Sequence, residues 1–268
     1  FVSPNRINWY IAADINSHIP YSSPMTTRHY VKPFHCNPAQ PCYCGSGALF
    51  GDCCASVSER REPPQGVVIV NNFISKTDCR RLVRYADKQK AAWLMVRDDK
   101  KSTPGKTVEK RDPGRVTQQV EMDKHQGFLN DCIRRALLEV ASRKFGAAES
   151  FEIPYLLRYK LGGNYGEHAD SESYDPDKRL FYRISDRDIS VLIYLNDDYD
   201  GGELTFNRLN YRYHPSAGDL VIFPSGNLYM HQAQSVTRGT KYALVSWASL
   251  KSTRKLFRGA SRFPPIMV

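Results

Sequence analysis

The triplet His168-Ala169-Asp170, the later His231, and Lys241 ten positions beyond it are the residues of this chain best suited to chemistry. Two imidazoles and one carboxylate can hold Fe(II) on one face and leave the opposite positions open to small ligands. A lysine ammonium close by can anchor the far carboxylate of a bound oxo-acid. An H-x-D triplet puts both side chains on the same side of an extended strand, because side-chain direction repeats every two residues. By itself the triplet also fits a loop histidine hydrogen-bonded to the neighbouring carboxylate. His214, in Tyr211-Arg-Tyr-His-Pro, is a rival third ligand, but it precedes a strand pattern and lacks the spacing to Lys241. His18, His29, His35 and His125 stand in no metal-like spacing.

The elements that must position these residues are strands. Runs at 155–159, 189–195, 203–206, 220–223 and 242–250 are β-rich and separated by Gly, Pro, Asn or Asp. Ahead of them, Val67 to Val70 predicts a first strand. Ser75 can cap a helix carrying Cys79, Leu82, Val83 and Ala86 on one face. A second helix fits Phe128, Leu129, Cys132, Ile133, Ala136, Leu137 and Val140, with Gly146 stopping it. Helices first and strands afterwards predict a mainly β, α+β fold: an antiparallel barrel or sandwich with helices on one outer face. The polar, basic stretch 97–115, broken by Pro104-Gly105 and Pro113-Gly114, reads as a solvated loop, with a substrate-covering lid as the alternative.

At 268 residues and 41% hydrophobic composition, the chain can build one large domain plus an appendage. A net charge of +10 attracts polyanions or acidic protein partners without separating the two. No stretch approaches a membrane span. The chain opens on Phe1 rather than Met, which reads as a trimmed or processed end. Of seven cysteines, Cys42, Cys44, Cys53 and Cys54 crowd together, which suits a metal site in a reducing compartment and makes the cytosol the expected address. Cys36, Cys79 and Cys132 read as ordinary thiols. The layout is then an irregular, proline-bearing extension at 1–40, a cysteine motif at 41–56, a linker at 57–65, the main domain at 66–252 and a basic tail at 253–268.

Around the candidate ligands the chain reads Tyr155-Leu-Leu-Arg-Tyr159, a glycine turn, then Glu167-His168-Ala-Asp170. Val191-Leu-Ile-Tyr-Leu-Asn196, Gly201-Gly-Glu-Leu-Thr-Phe206, Ala217-Gly-Asp-Leu-Val-Ile-Phe-Pro224 and Lys241-Tyr-Ala-Leu-Val-Ser-Trp247 follow. In this order they resemble the prolyl 4-hydroxylase group of Fe(II)/2-oxoglutarate dioxygenases, including the bacterial PKHD-type hydroxylases, over residues 66 to 250. The resemblance implies a double-stranded β-helix, a jelly-roll-like barrel with iron at its open end. It makes His168, Asp170 and His231 the iron ligands and Lys241 the partner of the 2-oxoglutarate C5 carboxylate. Tyr159 and Tyr194 would line the co-substrate pocket, and Trp247 takes the aromatic position on the last strand. Oxidative decarboxylation of 2-oxoglutarate would yield succinate and CO2 and hydroxylate the substrate, with ascorbate as an admissible reductant.

Cys42-Tyr-Cys44-Gly-Ser-Gly, followed by Cys53-Cys54, offers four thiolates for a closed tetrahedral zinc site. It resembles the SEC-C motif, which implies a structural zinc knuckle that docks on another protein or on the translation machinery. The combined expectation is a cytosolic hydroxylase of a protein or peptide residue, proline first, with a basic rim of 97–115, Lys178, Arg179, Arg183 and Arg187 to hold the substrate. Hydroxylation of a free amino acid or of a nucleic-acid base, and a zinc-dependent adaptor with a non-catalytic barrel, are the alternatives. Nucleic acid is the less favoured substrate, because the chain lacks the arginine-rich ending of nucleic-acid demethylases and an evident base-stacking platform.

Overall fold

The computed structural model describes residues 28–34, 37–42, 46–56, 60–97, 101, 108–257 and 265–268. Cys36, Cys44, His18 and His35 fall outside them, as does most of the extension and much of the 97–115 loop.

Two facing antiparallel sheets make a double-stranded β-helix. In the major sheet the order is Val68–Val70, Leu220–Pro224, Ile189–Tyr194, Lys241–Leu250, Tyr155–Tyr159, Gln118–Val120 and Ala91–Trp93. The minor sheet runs Tyr211–Tyr213, Leu204–Phe206, His231–Ala233, Asn164–His168 and Arg115–Val116. The strand expected to begin at 242 begins one residue earlier, so Lys241 itself pairs with Tyr159.

The helices cover the outer face of the major sheet. Ser75 caps the first, Lys76–Ala86, by accepting from the Asp78 N–H at 3.0 Å, which satisfies a donor the helix itself leaves unpaired. The second, Gln126–Arg135, continues through a π-helical turn at Ala136–Ala141 to Ser142–Phe145 and stops at Gly146, whose φ of 93° suits glycine. Leu82, Leu129 and Ile133 from these helices are fully buried against Leu156, Val191, Ile193 and Leu244. Each such side chain contributes about 1.5–3 kcal/mol through burial.

Period-two alternation then divides every central strand. Tyr242, Leu244 and Ala248 face the helices, while Lys241, Ala243, Val245 and Trp247 turn into the barrel. Ile189 and Ile193 face the helices, while Ser190, Leu192 and Tyr194 turn inward. The barrel interior therefore receives a polar or aromatic side chain from strands that read as almost uniformly apolar.

One part of the extension is regular. Tyr30–Val31 adds a strand to the hairpin Glu172–Asp175/Leu180–Arg183, with Arg28 and Tyr30 both bonded to Asp175 at 3.0 and 2.9 Å. The sequence reading of an irregular 1–40 missed this strand because its partner edge comes from more than a hundred residues away. No helix among the described residues is long and apolar enough to cross a membrane.

Candidate active site

His168 and His231 face each other as direct register partners on neighbouring strands of the minor sheet. Asp170, two residues past His168, comes between them: its carboxylate lies 3.4 Å from His168 Nε2 and 3.6 Å from His231 Nε2. The candidate ligand atoms of the three side chains all fall within 4.8 Å of one another. His168 Nδ1 sits 2.8 Å from the Gly166 carbonyl and His231 Nδ1 3.1 Å from the Tyr229 carbonyl. A carbonyl only accepts, so each Nδ1 carries the proton and each Nε2 lone pair points at the shared centre. Ser190 donates its hydroxyl to Asp170 at 2.6 Å.

The electrostatics suit a cation. Burial pushes the Asp170 pKa upward, but His231, His168 and the Ser190 hydroxyl outweigh it and hold the carboxyl well below the usual range. Burial and the neighbouring His168 bring His231 down to about 4, so its imidazole is neutral near pH 7. Two imidazoles with their Nε2 atoms turned inward and a carboxylate on one side form a donor set that fits a divalent transition metal and leaves the opposite side free. Packing fixes the rings: Tyr165 stacks on His168 at 3.7 Å, and Phe223 meets His231 edge-on at 4.7 Å.

A cleft runs inward from this group. At its far end Lys241, 2% exposed, donates to the Gly202 carbonyl at 2.5 Å, and its Nζ stands 5.3 Å from the Tyr159 ring and 5.1 Å from the Tyr194 ring. Among the described residues no carboxylate pairs with it, and burial lowers its pKa to about 7. The Tyr194 hydroxyl is buried with no hydrogen-bond partner among the described residues. A buried cation and an orphaned hydroxyl in one recess are costly unless an anionic ligand completes them.

The open end is built differently. Arg187 is 4% exposed, grips Glu152 through two nitrogens at 2.6 and 2.7 Å, donates to the Asp170 carbonyl at 3.2 Å, and lies 3.8 Å over Trp247. Arg115, 8% exposed, lies 4.5 Å over the Tyr165 ring. Both arginines were expected on a basic rim. Instead both are buried: Arg115 lies on its strand against the Tyr165 ring, and Arg187, in the loop ahead of Ile189–Tyr194, is received by Glu152 and the Trp247 face. Trp247 lines the cleft at this end, opposite Lys241. His214 faces Tyr199 at 5.7 Å and joins no metal-binding group among the described residues.

Sequence reasoning missed Ser190, Tyr165, Glu152 and Tyr155 as site residues. Ser190 was findable, since it lies four positions before Tyr194 on the same strand face; the Glu152–Arg187 pair had no sequence signal.

The stretch 154–249, which contains all three candidate ligands and Lys241, matches the 2OG-Fe(II) oxygenase superfamily. Over that stretch this chain is similar to the superfamily. The chain is 40% identical over 113 residues to a PKHD-type hydroxylase of Hyphomonas neptunium, a match covering 40% of this chain and 47% of that one. The match thus spans about half the length of that relative. It is 42% identical over 89 residues to prolyl 3-hydroxylase 3 of Homo sapiens, covering 30% of this chain and 12% of the other. A solved superfamily-like fold, the prolyl hydroxylase of Trichoplax adhaerens in complex with a peptide fragment of hypoxia inducible factor, superposes with a TM-score of 0.51 at 16% identity, covering 71% of this chain and 88% of that one.

The second metal-like group is near the N-terminus. The thiols of Cys42, Cys53 and Cys54 lie within 4.8 Å of one another, and Cys44 lies outside the described residues.

Proposed function

We propose that this chain is an Fe(II)- and 2-oxoglutarate-dependent dioxygenase that hydroxylates a residue of a protein or peptide, proline first, with release of succinate and CO2. The observation that carries the reading is the buried Lys241 ammonium, with the orphaned Tyr194 hydroxyl beside it, at the far end of a cleft that opens on the His168, Asp170 and His231 group. A dicarboxylate would fit this cleft with one carboxylate on Lys241.

His168, Asp170 and His231 would hold the iron, which supplies oxygen activation coupled to decarboxylation of the co-substrate. The protein's own residues do the rest. The Gly166 and Tyr229 carbonyls keep both Nε2 atoms aimed at one point, and Ser190 orients the carboxylate. Lys241 and Tyr194 bind and orient the co-substrate, Tyr159 walls its recess, and Leu192, Leu204 and Ala243 exclude water along the cleft. Trp247, beside Arg187, frames the open end where substrate enters.

The names of the relatives support a peptidyl substrate, with prolyl hydroxylation as the first candidate. The cysteine group supports a structural zinc held by Cys42, Cys53 and Cys54 with Cys44 as the fourth ligand, in a reducing compartment such as the cytosol, and docking on the translation machinery is part of the same reading. Ascorbate serves as reductant. Iron-dependent succinate release, measured with and without proline-containing peptides, tests the activity. Mass spectrometry for one added oxygen in cellular proteins, comparing wild type with His231→Ala, identifies the substrate. Succinate release that is absent under every condition sinks the enzyme reading in favour of an adaptor, and oxygen added only to a free amino acid or a nucleic-acid base sinks the peptidyl one.

A further inference from the structure

The cysteine group and the barrel meet at Arg60. Its Nη2 donates to Cys54 Sγ at 2.8 Å and to Cys53 Sγ at 3.5 Å, and its Nε donates to Cys54 Sγ at 3.3 Å. Cys54 Sγ in turn lies 3.2 Å from Cys42 Sγ. The backbone of the same residue belongs to the barrel: the Arg60 N–H donates to the Asn210 carbonyl at 2.7 Å and forms a parallel bridge with Tyr211. Asn210 reciprocates through its side-chain amide, which donates to the Cys54 carbonyl. Asn210 can do this because it holds a left-handed conformation, φ 48°, that asparagine tolerates better than most residues.

Neutral thiols are weak acceptors, whereas a guanidinium directed at sulfur from two nitrogens is suited to thiolate. Thiolate is also the form that ligates a metal. Thiolates gathered on a divalent cation carry net negative charge, and Arg60 supplies the compensating one. The edge strand that Arg60 holds, Tyr211–Tyr213, is the outermost strand of the sheet whose inner strands carry His231 and His168. Tyr211 stacks on Phe206 at 6.3 Å, and Phe206 lies 5.9 Å from His231. An open edge of that sheet is a liability that a docked segment removes.

We propose that Arg60 is a clasp that stabilises a zinc-thiolate centre with its side chain and locks that centre to the edge of the ligand-bearing sheet with its backbone, so that zinc occupancy stabilises the barrel. The clasp rests on the zinc reading given above. It assigns the cysteine group a docking surface on its own chain.

The test uses the full chain purified without chelators, as wild type, Arg60→Met and Arg60→Lys. Zinc content is measured directly, zinc release is followed with a chelating dye, and unfolding of the barrel is followed by near-ultraviolet circular dichroism before and after zinc removal. Arg60→Met is expected to release zinc roughly 10- to 100-fold faster, as for loss of other residues that support metal ligands. Arg60→Lys, which keeps the charge without the fork, falls between. Zinc removal lowers the unfolding temperature of wild type and has a smaller effect on Arg60→Met. Zinc bound by wild type but released from Arg60→Met at the same rate overturns the clasp alone, as does a zinc-loaded wild type whose unfolding ignores zinc removal. A wild type without zinc overturns both the clasp and the zinc reading.

Discussion

Lys241 reaches the far end of its cleft by lying along Gly202: its Nζ donates to the Gly202 carbonyl at 2.5 Å, and its Cδ stands 3.2 Å from where a Cβ on Gly202 would be. Gly202 has φ 67°, and the same Cβ would stand 3.0 Å from the Tyr199 ring. The glycine therefore fixes the position of the lysine.

Gly202→Ala is expected to displace the Lys241 stem and raise the KM for 2-oxoglutarate about tenfold, equivalent to roughly 1.4 kcal/mol of lost binding. The left-handed backbone adds about 1–2 kcal/mol of destabilisation. Steady-state succinate release and thermal unfolding measure the two effects, and a KM equal to that of wild type removes Gly202 from this role.

Lys241→Ala should raise the requirement for 2-oxoglutarate far more than it disturbs folding. Burial brings the wild-type lysine to about 7, and on the proposed function it is the charged form that would bind the dicarboxylate. Hence kcat/KM for 2-oxoglutarate is constant below that pH and falls as pH rises through it, about tenfold per unit. Lys241→Arg, which stays charged, flattens the profile. The stability sign is opposite. The folded state binds fewer protons than the unfolded state between about 7 and the ordinary lysine value, so the ligand-free protein becomes more stable as pH rises through that window.

Tyr194→Phe separates binding from stability. It deletes a buried hydroxyl that has no partner among the described residues, so the ligand-free protein gains about 1 kcal/mol while 2-oxoglutarate binds more weakly. Denaturant unfolding and co-substrate titration report the two; loss of stability in the variant contradicts the assignment.

Ser190→Ala removes the 2.6 Å bond that orients Asp170. Metal affinity should drop roughly 10- to 100-fold with a small change in folding. Calorimetric titration with a divalent transition metal checks this, and unaltered affinity assigns Ser190 to packing.

Arg187→Met leaves Glu152 without its bidentate partner and costs about 3–5 kcal/mol. Pairing it with Glu152→Gln should restore part of the stability but not the activity. Equal losses in single and double variants show that the two side chains do not act as a pair.

Much of the site was readable because its spacing is local or nearly so. His168 and Asp170 share a strand face by period two, and Ser75 announces a helix through a capping bond three residues long. The run 242–250 was legible as a strand but not as two surfaces, since Ala243, Val245 and Trp247 are as apolar as Tyr242, Leu244 and Ala248, and only the helices packed on one side distinguish them. Arg115 and Arg187 were misread as rim residues for the same reason. A positive charge in sequence looks solvated until an aromatic face or a carboxylate from a distant segment is brought against it.

The sequence by itself determined the fold class and the residue types of the candidate ligands, because both depend on residue chemistry and short periodicities. The tertiary structure decided what those side chains meet. Barrel closure makes His231 the register partner of His168, buries Arg187 on Glu152 and Trp247, and brings the backbone of Arg60 onto Asn210. Such contacts join segments tens of residues or more apart, and burial, which sets their strength, exists only once the sheets have closed.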